Sequence, residues 1–202
     1  MTTPISDSAL DQIFRAARSQ YAWQAKAPPV TLIKAAYELT KMGATSANAS
    51  PARFMFLQSA DAKERLRPHL MESNIDKTIG APWVVIIATD KKFPAKLDQL
   101  FPIMPGAAAM FDGMPPAMRA EHGLRNSTLQ GAYFMLACRA LGLDCGPISG
   151  FDPAGIDQAF FAGDPETENW QSNFICSVGY GSGEALAPRL PRLSFEEACR
   201  IL

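Results

Sequence analysis

Four separated groups of polar residues could do chemistry in this chain. Arg18-Ser19 joins a guanidinium fork to a hydroxyl, a pair suited to a phosphate monoester. Thr45, Ser46, Asn48 and Ser50 load one connection, GATSANASPARF, with three hydroxyls and an amide. Ser73-Asn74 and Lys77 add an amide and a cation, and Arg189-Leu190-Pro191-Arg192 adds two more guanidiniums. Each group alone also fits ordinary structure: charged side chains usually face water, and Ser and Asn after a helix usually make a turn.

What is missing narrows the chemistry. The chain has no Gly-x-x-x-x-Gly-Lys-Ser/Thr loop, no Gly-x-Gly-x-x-Gly fingerprint, no Gly-x-Ser-x-Gly elbow and no His-Glu-x-x-His pair. His69 and His122 are far apart, and Cys138, Cys145, Cys176 and Cys199 never form Cys-x-x-Cys, so no metal site is expected. Without an evident nucleophile, base or metal, an enzyme of this sequence would carry its chemistry on an organic cofactor. The polar groups would then form the binding shell.

The elements that must position these groups read as one α+β domain over residues 1–202, long enough to bury a sizeable core. Net charge is −1, which gives no basic field for nucleic acid or an anionic membrane surface. With no leader pattern and no membrane-length apolar run, a cytoplasmic protein is expected. Ser6 or Asp7 caps a first helix through Leu10, Ile13, Phe14 and Ala17, ending near Ser19; Thr31 caps a second that Gly43 ends in a left-handed turn. Phe54–Gln58, Trp83–Thr89, Cys145–Ile148 and Phe174–Tyr180 read as strands, the all-apolar second one covered on both faces. Asp61–Met71 reads as a helix broken at Pro68, and Leu124–Leu141 as a helix stopped by Gly142, with Leu129, Ala132, Tyr133, Leu136 and Ala137 inward. Residues 91–123, rich in Pro, Gly, Met and Phe, form an excursion that suits a lid or pocket wall. Pro153 opens a further helix, and Ser194 with Glu197 forms a capping box for the last.

Taken in order, these groups resemble the FMN-dependent nitroreductase family over essentially the whole chain. The family pattern is answered by Arg18-Ser19, by Ala44 to Ala52, by Asn74-Ile75-Asp76-Lys77, by Pro147-Ile148-Ser149-Gly150-Phe151-Asp152 and by Arg189-Leu190-Pro191. More narrowly, Thr-Ser-Ala-Asn-x-Ser-Pro-Ala-Arg-Phe, Ala-Cys-Arg-Ala-Leu-Gly-Leu-Asp and Arg-Leu-Pro-Arg-Leu-Ser-Phe-Glu-Glu-Ala-Cys are similar to the branch assigned as malonic semialdehyde reductase in uracil degradation.

The resemblance implies an interwoven homodimer with two interfacial FMN sites and NADH or NADPH as co-substrate. Cofactor contacts fall on Arg18, Ser19, Asn74, Lys77, Pro147, Ile148, Ser149, Gly150 and Arg189, with Thr45, Ser46, Asn48 and Ser50 supplied by the partner subunit. Backbone N–H groups around Ser149 and Gly150 would face the flavin N5 edge. The chain departs from the pattern at Ala44, at Ser50 in place of Gln, at Ala52 in place of Trp, and at Ala17, where many relatives carry another Arg. Arg192 is a further candidate for the phosphate. For a carboxylate substrate, Arg119 and Arg125, flanking the excursion, are the candidate cations. Gly150-Phe151-Asp152-Pro153 also suits a plain turn into the next helix, with Asp152 as cap.

Overall fold

The computed structural model describes residues 3–184 and 186–202. In chain order the helices are α1 (Asp7–Leu10), α2 (Val30–Thr40), α3 (Ala60–Leu66), α4 (Ile75–Ile79), α5 (Leu97–Leu100), α6 (Ala107–Asp112), α7 (Pro116–Ala140), α8 (Pro153–Phe160) and α9 (Phe195–Ala198). The strands are β1 (Ala52–Leu57), β2 (Trp83–Asp90), β3 (Asp144–Ile148) and β4 (Trp170–Gly179). They form one antiparallel sheet in the order β1-β2-β4-β3. Beyond β3, Ser19 pairs with Cys145 in parallel and the Gln20 amide donates to the Cys145 carbonyl at 3.0 Å. The expected α+β class with a mixed or antiparallel sheet is the one observed.

β2 shows why its sequence is apolar from Trp83 to Ala88. Trp83, Val85 and Ile87 pack with Ile33 and Ala36 of α2 and Phe134 and Ala137 of α7. Val84, Ile86 and Ala88 point the other way, into a core with Leu66 of α3 and Ile156 of α8. Alternate side chains thus feed two layers, and water reaches neither face. The helix on the first face approaches closely: a Cβ on Gly131 would lie 2.5 Å from the Phe174 ring of β4.

Several boundaries differ from those expected. The first helix widens into a π-helical turn over Asp11–Arg15 and ends there, not near Ser19, so Arg18 and Ser19 lie on extended chain beside β3. Thr31 lies inside α2, whose N-cap is Pro29. Gly43 does not supply a left-handed turn. Its lack of a side chain is needed because a Cβ would sit 2.1 Å from the Tyr133 ring. α7 starts at Pro116, eight residues before Leu124, so the excursion is shorter and includes α5 and α6. Gly142 does end α7 in the left-handed region (φ 76°), and the Ser194–Glu197 capping box is present.

The inward face of α7 is the largest correction. Asn126, Ser127, Gln130, Gly131, Phe134, Ala137 and Cys138 are buried, whereas Leu129 is 43% exposed. Polar side chains face inward because strand and loop amides need acceptors there. Leu124 and Leu129 face outward, like Tyr37 and Leu39 of α2 and Leu190, Leu193 and Phe195 of the tail. Cys138, Cys145 and Cys176 are buried core residues. The thiols of Cys138 and Cys176 are pushed up by hydrogen bonding to Cys145 and by burial, which keeps them protonated.

Candidate functional site

A polar cleft lies where the N-terminal and C-terminal segments meet. It has a volume of about 440 Å³ and is lined by Arg18, Ser19, Tyr21, Arg139, Arg189 and Arg192, among others. The two segments latch reciprocally: Arg18 donates to the Ala187 carbonyl, and Arg189 Nη2 donates to the Ala17 carbonyl at 3.0 Å. Arg192 donates to the Leu190 and Pro191 carbonyls. Arg15, also at the cleft, is neutralised by Asp7 and Asp11. Arg18, Arg139, Arg189 and Arg192 have no carboxylate partner among the described residues. Gathering like charges is unfavourable unless an anion joins them, so this donor set fits a phosphate group.

From the cleft a continuous surface runs along the β3 edge. Tyr21 lines the cleft, and Lys77 Nζ stands 5.1 Å from its ring centre. The Trp23 indole fixes the Lys77 carbonyl at 3.0 Å. One turn before, Asn74 Nδ2 donates to the Gly150 carbonyl at 2.7 Å, and the Met71 amide donates to the same oxygen. The chain leaving β3 at Pro147-Ile148-Ser149-Gly150 is therefore pinned through its carbonyls. The amides of Ser149 and Gly150 donate to no acceptor among the described residues, leaving two fixed donors at the strand end. Asp152 occupies the α8 N-cap position without a side-chain cap bond.

The Thr45–Ser50 loop lies elsewhere. Its backbone enters the left-handed region at Ala47 (φ 52°), Asn48 (φ 48°) and Ser50 (φ 42°), a conformation that only Asn among the three adopts readily. α7 holds it there. Asn126 Oδ1 accepts from the Ser46 amide and Gln130 Oε1 from the Ala52 amide, both at 2.8 Å. Thr45 Oγ1 accepts from the Ser50 amide, and Asn48 Nδ2 donates to the Leu100 carbonyl. Arg53, paired with Asp90 at 2.7 Å, also donates to the Ser50 carbonyl. Thus Arg18, Ser19, Asn74, Lys77, Pro147, Ser149, Gly150 and Arg189 lie in one region, where Ile148 is instead buried in the core with Val84 and Ile156, and Thr45, Ser46, Asn48 and Ser50 lie in a second. Asn126 and Gln130 escaped the sequence reading; their i, i+4 spacing on α7 was the available signal.

A second cleft, about 680 Å³, opens at the sheet end beneath the excursion, lined by Thr89, Lys91, Phe93, Arg119, Leu124 and Asn173, among others. Arg119 lines it while bonded to Asp112 at 2.9 Å. Arg125 does not line it, but it pairs with Glu121, which does. Of the two candidate cations, only Arg119 lines the cleft itself.

Comparison with known proteins agrees with this architecture. The nitroreductase family model matches residues 1–180. A protein of Stenotrophomonas maltophilia provisionally named NADH dehydrogenase/NAD(P)H nitroreductase is 52% identical over 201 residues, covering all of both chains. A similarly named Caulobacter protein is 50% identical over 198 residues, 98% of each. Among solved structures, a protein from Exiguobacterium sibiricum provisionally named a nitroreductase, in complex with FMN, superposes with a TM-score of 0.84 at 20% identity, covering all of both chains. A Staphylococcus epidermidis protein provisionally named an NAD(P)H:FMN oxidoreductase gives 0.82 at 18% identity, over all of this chain and 98% of its own. With the family model matching most of its length and end-to-end relatives half identical to it, the chain belongs to the nitroreductase family of oxidoreductases.

Proposed function

We propose that the protein is an FMN-dependent NAD(P)H oxidoreductase, acting as a homodimer, that reduces a small carbonyl compound, malonic semialdehyde, to 3-hydroxypropionate. The observation that carries the cofactor assignment is the cleft of four arginines without carboxylate partners, continued by fixed donors along the β3 edge. Arg18, Ser19 and Arg189 hold the phosphate, Asn74 and Lys77 flank the middle of the cofactor, and the Ser149 and Gly150 amides face the flavin edge. FMN, when bound, supplies the capacity to take a hydride from NADH or NADPH and pass it to an acceptor. The chain's share is to bind, orient and exclude water. The alcohol product also needs a proton, which water can deliver.

Several features support the dimer. Thr45, Ser46, Asn48 and Ser50 sit in a strained loop braced by α7, outside the arginine cleft, and an FMN-binding role for them requires a second copy. α2, α7 and the tail expose Tyr37, Leu39, Leu124, Leu129, Leu193 and Phe195, more apolar surface than a monomer gains from. Sedimentation should show a dimer that retains FMN; a stable monomer that retains it would refute this assembly.

The substrate assignment is supported by the branch-like phrases around Thr45, Cys138 and Arg189 and by Arg119 in the larger cleft, a cation for the substrate carboxylate. A second reading, a broad nitro or quinone reductase, is favoured by the names of the half-identical relatives. Steady-state kcat/KM for malonic semialdehyde, a nitroaromatic and a quinone separates the two. A value for the semialdehyde far below the others leaves the second reading standing.

A further inference from the structure

The π-helical turn that follows α1 meets the C-terminal end of α7, and each bonds the other's carbonyls. The Gln12 side-chain amide donates to the carbonyl of Arg139 at 2.7 Å, which also accepts from the Gly142 amide, and to that of Ala140 at 3.3 Å. In return Arg139 Nη1 donates to the Ile13 carbonyl at 3.1 Å, in the last turn before Ala17-Arg18-Ser19. Arg139 is thereby fixed where it lines the arginine cleft together with Ala17, Arg18 and Arg189.

The bond to Ile13 accounts for only part of this side chain. A guanidinium has five N–H donors, and one suffices for the Ile13 carbonyl. Arg139 Nε is fully enclosed without a partner, and no carboxylate pairs with the group among the described residues. That enclosed N–H is out of a ligand's reach, but the charge of the side chain lining the cleft is not offset by any carboxylate there among the described residues, and an anion in the cleft would offset it. Arg15 at the same cleft shows the contrast, its charge being spent on Asp7 and Asp11.

We propose that Arg139 binds the phosphate of the cofactor, as the third cation of the cleft beside Arg18 and Arg189, with its orientation set by the Ile13 carbonyl. This rests on the assignment of the cleft to the FMN phosphate. No change of bonding is involved, only a charge-assisted contact delivered from the end of α7.

The test compares FMN with riboflavin, which lacks the phosphate, by fluorescence titration of flavin-stripped protein. Arg139→Gln removes the charge together with the bond to Ile13; Arg139→Lys keeps the charge; Gln12→Leu removes the reciprocal cap alone. Arg139→Gln should weaken FMN binding roughly tenfold or more while changing riboflavin binding less than about twofold, as expected for loss of one charge-assisted bond. Arg139→Lys should recover part of the loss, and Gln12→Leu should leave the ratio of FMN to riboflavin affinity near wild type. An unchanged FMN affinity in Arg139→Gln, or equal weakening of both flavins, overturns the proposal and leaves Arg139 a structural cap. Wild-type protein that binds FMN no tighter than riboflavin would instead remove the phosphate assignment itself.

Discussion

Replacing Arg189 with Ala removes two interactions of different kinds, and their sizes can be separated. The bond from Arg189 Nη2 to the Ala17 carbonyl, 3.0 Å long, joins a charged donor to a neutral acceptor and exists without any ligand. The contact with a bound phosphate is charge-assisted on both sides and contributes on the order of 1.5–3 kcal/mol. Because Arg189 is exposed, salt and water screen it, and the lower half of that range applies. The FMN dissociation constant should therefore rise roughly 10- to 30-fold at ~0.1 M salt. Half-buried Arg18 should lose more on the same substitution, toward roughly 100-fold. Since Arg18 and Arg189 each hold the other's segment, the double variant should lose less than the sum of the singles. The assay is flavin fluorescence quenching at two salt concentrations, with riboflavin as the phosphate-free control. Dissociation constants unchanged in both single variants would refute the placement of the phosphate in this cleft.

Two further outcomes are expected. Arg119→Ala should lower kcat/KM for malonic semialdehyde roughly tenfold or more, equivalent to about 1.4 kcal/mol, and leave a neutral quinone nearly unaffected, whereas Arg125→Ala should change neither; steady-state kinetics with both acceptors decides it. His122 lies against the Phe93 and Phe111 rings, at 5.6 and 4.9 Å, and desolvation followed by the charge of Arg125 lowers its pKa. The unfolded chain then binds more protons than the native one as pH falls, so stability is full above the ordinary value of 6.5 and declines below it. Thermal unfolding of His122→Phe between about pH 7 and 5 should show a flatter profile than wild type; parallel profiles would count against the burial argument.

The legible parts of this molecule were those governed by local rules. β2 announced itself because every residue from Trp83 to Ala88 had to be apolar for a strand buried on both sides. Gly142 and the Ser194–Glu197 pair marked helix ends through backbone chemistry alone. Gly43 misled because its requirement is set by Tyr133, ninety residues away. The N-terminal half of the α7 face was misread at Leu129 for a related reason, while Ala137 was placed correctly: periodicity rewards leucines, but the interior needed Asn126 and Gln130 to accept amides from the Ser46 and Ala52 backbone. At the site, Arg18, Ser19 and Arg189 could be named from the sequence, yet their convergence depends on the tail crossing beside β3. Arg139, inside a helix with an unremarkable pattern, gave no sign of facing the same cleft.

The visible absorption spectrum of the purified protein, before and after anaerobic addition of NADH or NADPH, tests the central claim most directly. Oxidised flavin bands at about one FMN per chain, bleached rapidly by one or both nicotinamides and restored by an acceptor, are the expected result. FMN should also raise the unfolding temperature, in line with roughly 2.7 kcal/mol at a hundredfold excess over Kd. A colourless protein that takes up no FMN on reconstitution would contradict the assignment of the arginine cleft, and a bound flavin that neither nicotinamide bleaches would make the protein a flavin binder without reductase activity.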